Sequence, residues 1–170
     1  MLKLNATGVV LRARGFSDAD KSYTVFTKEF GKLSFIAKGV RKITSKRAGS
    51  LDTLNLIKFS FTENKGFRYL VEVSCIDSFS KLKKIVPDFK HLYLVAELLN
   101  EFMQEDEPNA RVFELLVFTL YKMKKADENT KRLLVLNFEF KILTFLGFDP
   151  ILDFCALCSN DFSKERLPSG

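Results

Sequence analysis

The sequence predicts an α+β protein in which a β region precedes an α-helical region. Along the first 77 residues, apolar and polar residues alternate in short stretches, which is the period-two pattern of half-buried strands. After residue 78 the apolar residues recur at three- and four-residue steps, the pattern of amphipathic helices. Apolar residues make up 46% of the 170 residues, so the chain can build a packed core and is not disordered throughout.

Five strands are expected in the β region, separated by polar or glycine-containing turns. The first contains the β-branched run Gly8–Leu11, and Glu29–Gly31 connects the second strand to the third. Gly31 is expected to supply a positive φ in that connection. The expected strands span residues 5–14, 23–28, 32–38, 54–62 and 67–75.

Five short antiparallel strands are too few for a sandwich of ordinary size, and they fit a small closed barrel of the OB type. Closure would remove exposed sheet edges, which the Phe-rich segment Lys58–Phe61 would otherwise present as an aggregation site. We therefore predict a small five-stranded antiparallel OB-type barrel over residues 1–77, followed by an α-helical domain.

Three amphipathic helices are expected in this domain, which is predicted to span residues 78–150. Pro87 fits the first turn of the first helix, where a missing N–H costs nothing. Asn129 or Thr130 is expected to cap the third helix, and Gly147 to end it. The apolar positions that define the helices are Phe89, Leu92, Val95, Ala96, Leu99, Phe102 and Met103; Val112, Phe113, Leu116, Val117, Leu120 and Met123; and Leu133, Leu136, Phe140, Leu143 and Leu146.

Residues 151–170 are expected to form a loop with a Cys-x-x-Cys pair, Cys155 and Cys158. This spacing supplies half a zinc site, because structural zinc takes four ligands and no second pair precedes Gly170. Two reduced thiols are the simpler interpretation, and a redox role is disfavoured because no βαβ pattern adjoins the pair. No cofactor is predicted, with zinc possible only if further ligands exist beyond Gly170.

Positive charge is concentrated in the β region. Residues 1–75 hold 14 Lys and Arg against 6 Asp and Glu, whereas the remainder holds 13 against 15. A loop after the third strand carries five cations and no acid in ten residues, which is typical of a phosphate-binding surface. These cations are Lys38, Arg41, Lys42, Lys46 and Arg47, and Arg12 and Arg14 on the first strand would extend the patch. A solvated basic surface without a specific ligand is the alternative.

Aromatic residues in the β region could stack on nucleic-acid bases. Most of them must fill the small barrel, and only Phe16, in a turn beside Arg14, is expected to be an exposed stacking platform. The remaining members of the set are Tyr23, Phe26, Phe35, Phe59, Phe61, Phe67 and Tyr69.

No catalytic constellation stands out in the sequence. A metal-dependent nuclease using Asp18, Asp20 and Glu72 is one alternative, although aspartates in turns usually serve turn chemistry. The N-terminus lacks the pattern of a secretory leader, and charges interrupt every apolar stretch that could cross a bilayer. Three cysteines, an odd number, argue against a secreted disulfide scaffold, so a reducing cytoplasm is expected.

The order of these parts resembles the RecO family of bacterial DNA repair proteins. The resemblance is carried by Gly8–Arg12, Thr24–Thr27 and Gly31–Gly39 with the basic continuation Ser45–Arg47. Near the C-terminus it is carried by Leu146–Pro150 followed by Cys155–Cys158. The match spans nearly the whole chain. That family continues with a second metal-ligand pair and further helix, so this chain is expected to be a fragment or to carry a reduced element.

The resemblance implies a non-enzymatic recombination mediator in the cytoplasm, at the nucleoid. Such proteins bind single- and double-stranded DNA, anneal complementary strands and help load RecA. Their partners include RecR, sometimes RecF, and the acidic tail of the single-strand-binding protein. No membrane partner is expected. The family's DNA-binding face corresponds to Lys38, Arg41, Lys42, Lys46 and Arg47. The alternative is an RNA-binding OB-fold protein of translation or RNA handling, which would not need the helical domain.

Overall fold

Over the residues that the computed structural model describes, the chain forms a closed β-barrel and four helices. Those residues are 2–40, 47–83, 86–148, 153, 157–158 and 161, without the side chains of 86–89 and 91. The strands are β1 (Lys3–Gly15), β2 (Lys21–Thr27), β3 (Gly31–Ala37), β4 (Leu56–Asn64) and β5 (Phe67–Asp77). The helices are α1 (Ser80–Lys83), α2 (Val86–Phe102), α3 (Ala110–Met123) and α4 (Glu128–Phe145), and a 3-10 turn at Gly49–Leu51 precedes β4.

The predicted α+β class and OB-type barrel are confirmed. The strands follow the order β1-β2-β3-β5-β4, and β4 closes onto β1. The antiparallel description needs one correction, because β3 and β5 run parallel where Ile36 pairs with Tyr69. A closed ring with an odd number of strands cannot alternate direction throughout, so one of its five ladders must be parallel.

The strand ends differ from the predicted ones by at most two residues. The fourth strand begins at Leu56 instead of Leu54, because Leu54 has a φ of 66° and leaves strand geometry. Its N–H nevertheless donates to the carbonyl oxygen of Val10 at 2.6 Å, which ties the start of β4 to β1.

The barrel interior is packed with alternate strand residues. Large aromatic rings occupy its centre, with the Phe35 and Phe59 centroids 5.0 Å apart and the Phe59 and Phe61 centroids 5.9 Å apart. The other buried members of this interior cluster are Ala6, Val10, Tyr23, Val25, Leu33, Ala37, Val40, Leu51, Ile57 and Leu70. Of the eight aromatic residues in the expected set, four fill the barrel: Tyr23, Phe35, Phe59 and Phe61. Phe26 is buried outside the barrel, against the helices, so five of the eight are core residues but only half of the set fills the barrel.

A second hydrophobic cluster joins the outside of the barrel to the helices. Val9, Phe26 and Leu56 point away from the barrel interior and pack with buried residues of α2, α3 and α4. The rings of Phe26 and Phe113 lie 6.2 Å apart between centroids. Because this cluster crosses the expected boundary near residue 78, the division into 1–77, 78–150 and 151–170 stays a prediction.

The helix ends show specific capping. Asn109 caps α3 by accepting from the N–H of Val112, and Asp127 caps α4 by accepting from the N–H of Thr130. The prediction that Asn129 or Thr130 caps the last helix was wrong, because Asp127 has the extended backbone that lets its carboxylate reach the third helical N–H. Gly147 ends α4 as predicted, and the N–H of Phe148 donates back to Leu143 at 2.9 Å. The short helix α1 was not predicted.

The connection between α2 and α3 is docked on β3. Glu105 forms an isolated β-bridge with Lys32, and the N–H of Asp106 donates to the carbonyl oxygen of Lys32 at 2.8 Å. Gly31 has the predicted positive φ, 67°, and a Cβ there would stand 2.0 Å from the carbonyl oxygen of Glu107. The helical part therefore contacts the barrel through backbone as well as through side chains. Among the described residues no helix is long and apolar enough to span a membrane.

Candidate nucleic-acid interface

The outward-facing residues of β1, β2, β3 and β5 form one continuous surface, here called the strand face. Tyr23 and Phe35 point into the barrel and pair with each other, so their strand neighbours point outward. The strand face consists of Arg12, Arg14, Ser22, Thr24, Ser34, Ile36 and Tyr69.

Two rows of paired residues place both strand arginines on this face. Arg14 pairs with Ser22, which pairs with Ile36, which in turn pairs with Tyr69. In the neighbouring row, Arg12 pairs with Thr24. Cross-strand partners lie on the same side of a sheet, so the exposed Arg12 and Arg14 project beside β2 and β3.

Lys38 lies at the other side of the strand face, directly after β3. Its side chain is exposed, and its Nζ stands 4.7 Å from the ring centroid of Tyr69 on β5. This cation–π contact orients the ammonium over β5. The strand face is therefore bordered by Arg12 and Arg14 on β1 and by Lys38 near β5.

Only the ends of the basic loop belong to the described residues. Arg41, Lys42 and Lys46 lie outside them, whereas Lys38 and Arg47 lie within and are exposed. Arg47 lies near enough to Glu72 of β5 to influence its carboxylate. The pKa of Glu72 is held below its usual value mainly by Lys3, through a hydrogen bond of 2.7 Å and through the positive charge of Lys3, and to a smaller extent by the charge of Arg47.

Asp20 joins the turn after β1 to the start of the basic loop. Its carboxylate accepts from the N–H of Gly39 at 2.8 Å, and its carbonyl oxygen accepts from the N–H of Phe16 at 3.1 Å. This is turn chemistry. The described residues, which include Asp18, Asp20 and Glu72, hold no group of three or more potential metal ligands.

A cavity of about 420 Å³ opens over β2 and β3, here called the face cavity. Ser22, Ser34 and Ile36 line it. Phe16 from the β1–β2 turn and Phe67 from the start of β5 also line it, and they are 55% and 53% exposed. The sequence predicted that Phe16 is an exposed aromatic residue, but it did not single out Phe67. The position of Phe67 directly after the turn Asn64–Gly66 could have indicated its exposure.

One side of the face cavity is acidic. Glu105 and Asp106 reach it from the α2–α3 connection, and Glu63 reaches it from the end of β4. Arg68 bonds Asp106 at 2.8 Å and lies 3.8 Å from Glu63. Three acidic residues and one arginine thus line this side of the cavity, so its formal charge is negative. Arg12, Arg14 and Lys38 lie elsewhere on the strand face, where Arg12 also lines a separate cavity with Glu97 and Glu101 of α2.

A second cavity, of about 490 Å³, lies between α3 and α4 and is here called the helix cavity. Its wall is mainly apolar, with Phe118, Tyr121 and Leu134, and it carries the ammonium groups of Lys122 and Lys125. The Nζ of Lys122 stands 5.3 Å from the ring centroid of Phe118. No sequence motif marked this cavity, because its residues come from two helices and the loop between them.

The predicted metal ligands are not tested by the structure. Cys155 lies outside the described residues, and Cys158 is exposed and in no disulfide. Cys75, the third cysteine, is exposed on β5, and burial is the main cause that raises the pKa of its thiol.

Two family profiles match the chain. The profile described as "Recombination protein O N terminal" covers residues 1–79, and the one described as "Recombination protein O C terminal" covers residues 91–169. The first match covers the barrel, and the second covers most of the helical part.

Curated relatives are similar along almost the whole chain. A DNA repair protein RecO of Listeria welshimeri is 30% identical over 164 residues, which is 93% of this chain and 63% of the relative. The proteins of the same name from Caldanaerobacter subterraneus and Symbiobacterium thermophilum are 24% and 27% identical, over 96% and 98% of this chain and 65% of each relative. The chain thus spans slightly less than two thirds of the length of these relatives.

Proposed function

Because the chain belongs to the RecO family, we propose that it is a DNA-binding protein of repair and homologous recombination. It binds single- and double-stranded DNA and anneals complementary single strands without a catalytic residue. In this proposal it acts in the cytoplasm at the nucleoid, where it works with RecR and helps to load RecA.

The observation that carries this proposal is the arrangement of cations on the strand face. Arg12 and Arg14 border it on β1, Lys38 borders it near β5, and the remaining loop cations follow Lys38 in sequence. Cations that share one surface can neutralise the phosphates of a bound strand. Neutralised strands repel each other less, so complementary strands meet and pair faster, and no bond needs to be broken.

The helix cavity supports contact with an acidic peptide, as expected for the tail of the single-strand-binding protein. Its apolar wall suits the apolar side chains of such a tail, and Lys122 and Lys125 suit its carboxylates. This surface lies on α3 and α4, away from the strands that carry Arg12, Arg14 and Lys38. A bound peptide and a bound nucleic acid would therefore not compete for the same residues.

Zinc has no part in the proposed mechanism. Cys155 and Cys158 supply two ligands where structural zinc takes four. The residues present thus do not fit a complete zinc site, and zinc binding is proposed only for a chain with further ligands beyond Gly170.

The decisive experiment compares two variants with the same loss of charge. One replaces three cations of the strand face by Ser: Arg12, Arg14 and Lys38. The matched control replaces three exposed lysines of the helices by Ser: Lys81, Lys90 and Lys141.

For a single-stranded oligonucleotide, we expect the strand-face variant to flatten the slope of log affinity against log salt by about 2, because each phosphate contact contributes about 0.7. Its annealing rate should fall in parallel, while the control keeps both the slope and the rate. Equal annealing by the two variants at moderate salt would rule the mechanism out. A competition with RNA of equal length separates the RNA-handling alternative, since strong RNA preference contradicts a DNA-specific role.

A further inference from the structure

We propose that the face cavity is a binding site for an unpaired nucleobase, which stacks on Phe16 and Phe67 while the phosphates of the same strand remain outside the cavity. The inference rests on the proposed function, because it assigns a place for the bases of a strand whose backbone the cations hold. It concerns residues that charge alone would not single out.

Exposure of two phenylalanine rings in the same cavity is the first support. Phe16 and Phe67 leave more than half of their surface in water although the barrel interior beside them is closely packed with Phe35, Phe59 and Phe61. Apolar rings gain free energy when a flat partner covers them. Stacking on a base supplies that partner for any of the four bases, because every base has a π-face.

The location of the two rings is the second support. Phe16 comes from the β1–β2 turn, and Phe67 is the first residue of β5, directly after the β4–β5 turn. Both line the cavity together with residues of β2 and β3. These loops and strands form the surface with which OB-type barrels bind oligonucleotides. Ser22 and Ser34 also line the cavity. The Ser34 hydroxyl shares a hydrogen bond of 3.2 Å with Thr24, and a hydroxyl group that has one partner can still bond the edge of a base.

Charge decides which part of the strand enters the cavity. Glu63, Glu105 and Asp106 outnumber the single Arg68, so a phosphate inside would meet net negative charge. A neutral base meets no such repulsion, and its amino groups can donate to the carboxylates. Phosphates are instead attracted to Lys38, Arg12 and Arg14 around the cavity. The acidic residues in the cavity and the cations around it would thus orient a bound strand with a base inside the cavity and its phosphates outside.

A base inside a duplex cannot reach the cavity, because it is stacked and paired. The site therefore selects single strands, or the unpaired part of a partly duplex molecule. Its volume of about 420 Å³ lies within the range for small-ligand pockets, roughly 300–1,000 Å³, and is large enough for a base.

The test uses the full chain and two fluorescent single strands of about 12 nucleotides, within the site sizes of OB-type domains. One carries all its bases. The other has abasic sugars at its central positions, so that the phosphates are unchanged. We expect the wild-type protein to bind the complete strand about tenfold more tightly, the effect of one stacked base.

The decisive variant is Phe16→Leu with Phe67→Leu, which removes both rings from exposed positions. It should bind both strands equally, at the affinity of the wild-type protein for the abasic strand, with an unchanged salt slope. Phe16→Tyr with Phe67→Tyr keeps the rings and should keep the preference, which separates stacking from loss of fold. Phe140→Leu, at an exposed aromatic of α4, should also keep it.

Equal binding of the two strands by the wild-type protein would overturn the base site and leave the proposed function intact. An undiminished preference in the leucine variant would do the same. If the wild-type protein bound neither strand even at low salt, the proposed function itself would fail.

Discussion

Asp77 connects the barrel to the helices through a single carboxylate. It lies at the end of β5, where it accepts a hydrogen bond from the N–H of Phe79 at 2.8 Å and binds the Nζ of Lys124 at 2.7 Å. Burial acts to raise its pKa, but these two bonds and the charge of Lys124 outweigh burial and hold the pKa below the usual value. The ionised form is therefore favoured by folding.

We predict that Asp77→Asn lowers the free energy of unfolding at pH 7 by about 1 kcal/mol, the scale of a partly exposed charged hydrogen bond. Because the folded pKa lies below the unfolded one, this contribution is complete above the unfolded pKa of about 4 and is lost as pH falls through the folded pKa. Urea unfolding at several pH values should show the wild-type and variant stabilities converging below about pH 4. A constant difference at all pH values would contradict the assignment, and Asp18→Asn serves as an exposed control.

At this scale the sequence predicted some positions and could not predict others. The cations of the basic loop could be predicted, because a segment with five Lys and Arg and no Asp or Glu is recognisable from the sequence alone. Phe67 was missed because its strand also contains buried residues such as Leu70, and only the register tells which side faces out. Asp106 was not considered because its contact with Arg68 joins residues far apart in the chain.

Among the elements, the α2–α3 connection is held against β3 by backbone contacts. Gly31 begins β3 with a φ of 67°, and the backbone of Glu107 occupies the space where a side chain would stand. The same connection supplies Glu105 and Asp106 to the face cavity. The position of the acidic wall is thus set by a backbone contact.

Gly31→Ala should destabilise the fold by about 3 kcal/mol or more, because it combines left-handed backbone strain with a steric clash against backbone. Gly66→Ala is the matched comparison: Gly66 has a φ of 77°, but nothing lies within 4 Å of its Cβ position. Strain alone should cost Gly66→Ala about 1 kcal/mol. Chemical denaturation measures both, and equal losses would show that the contact with Glu107 does not hold the connection.

The elements themselves were largely predictable. Alternation located all five strands, and three- and four-residue spacing located the three long helices, because both patterns follow from burial of one side of an element. The parallel β3–β5 ladder and the cap at Asp127 were not predicted. The ladder depends on how the ring closes, and the cap depends on the backbone angles of one residue.

In the whole molecule, the two candidate binding surfaces belong to different parts of the structure. The strand face lies on the barrel, and the helix cavity lies between α3 and α4. The charge distribution along the sequence indicated the first, since the β region carries the positive excess. The charge distribution did not indicate the helix cavity, because Lys122 and Lys125 lie in a segment whose net charge is slightly negative.

Lys122→Glu with Lys125→Glu should weaken binding of an acidic peptide with an apolar C-terminal end at least tenfold, through loss of two attractive charges and gain of two repulsive ones. Binding of a single-stranded oligonucleotide should change less than twofold at moderate salt, where charges on distant surfaces are screened. Fluorescence anisotropy with each labelled ligand measures both effects. A parallel loss of both affinities would mean that the surfaces are not separate.

The shared cluster of Val9, Phe26 and Leu56 with the helices leaves only part of the barrel's circumference exposed to a long polymer. Under the proposed function, a strand that follows the open part would not encircle the molecule, so its footprint on each copy would stay short, on the order of the 4–16 nucleotides usual for one such barrel. Several copies could then bind next to one another along one strand.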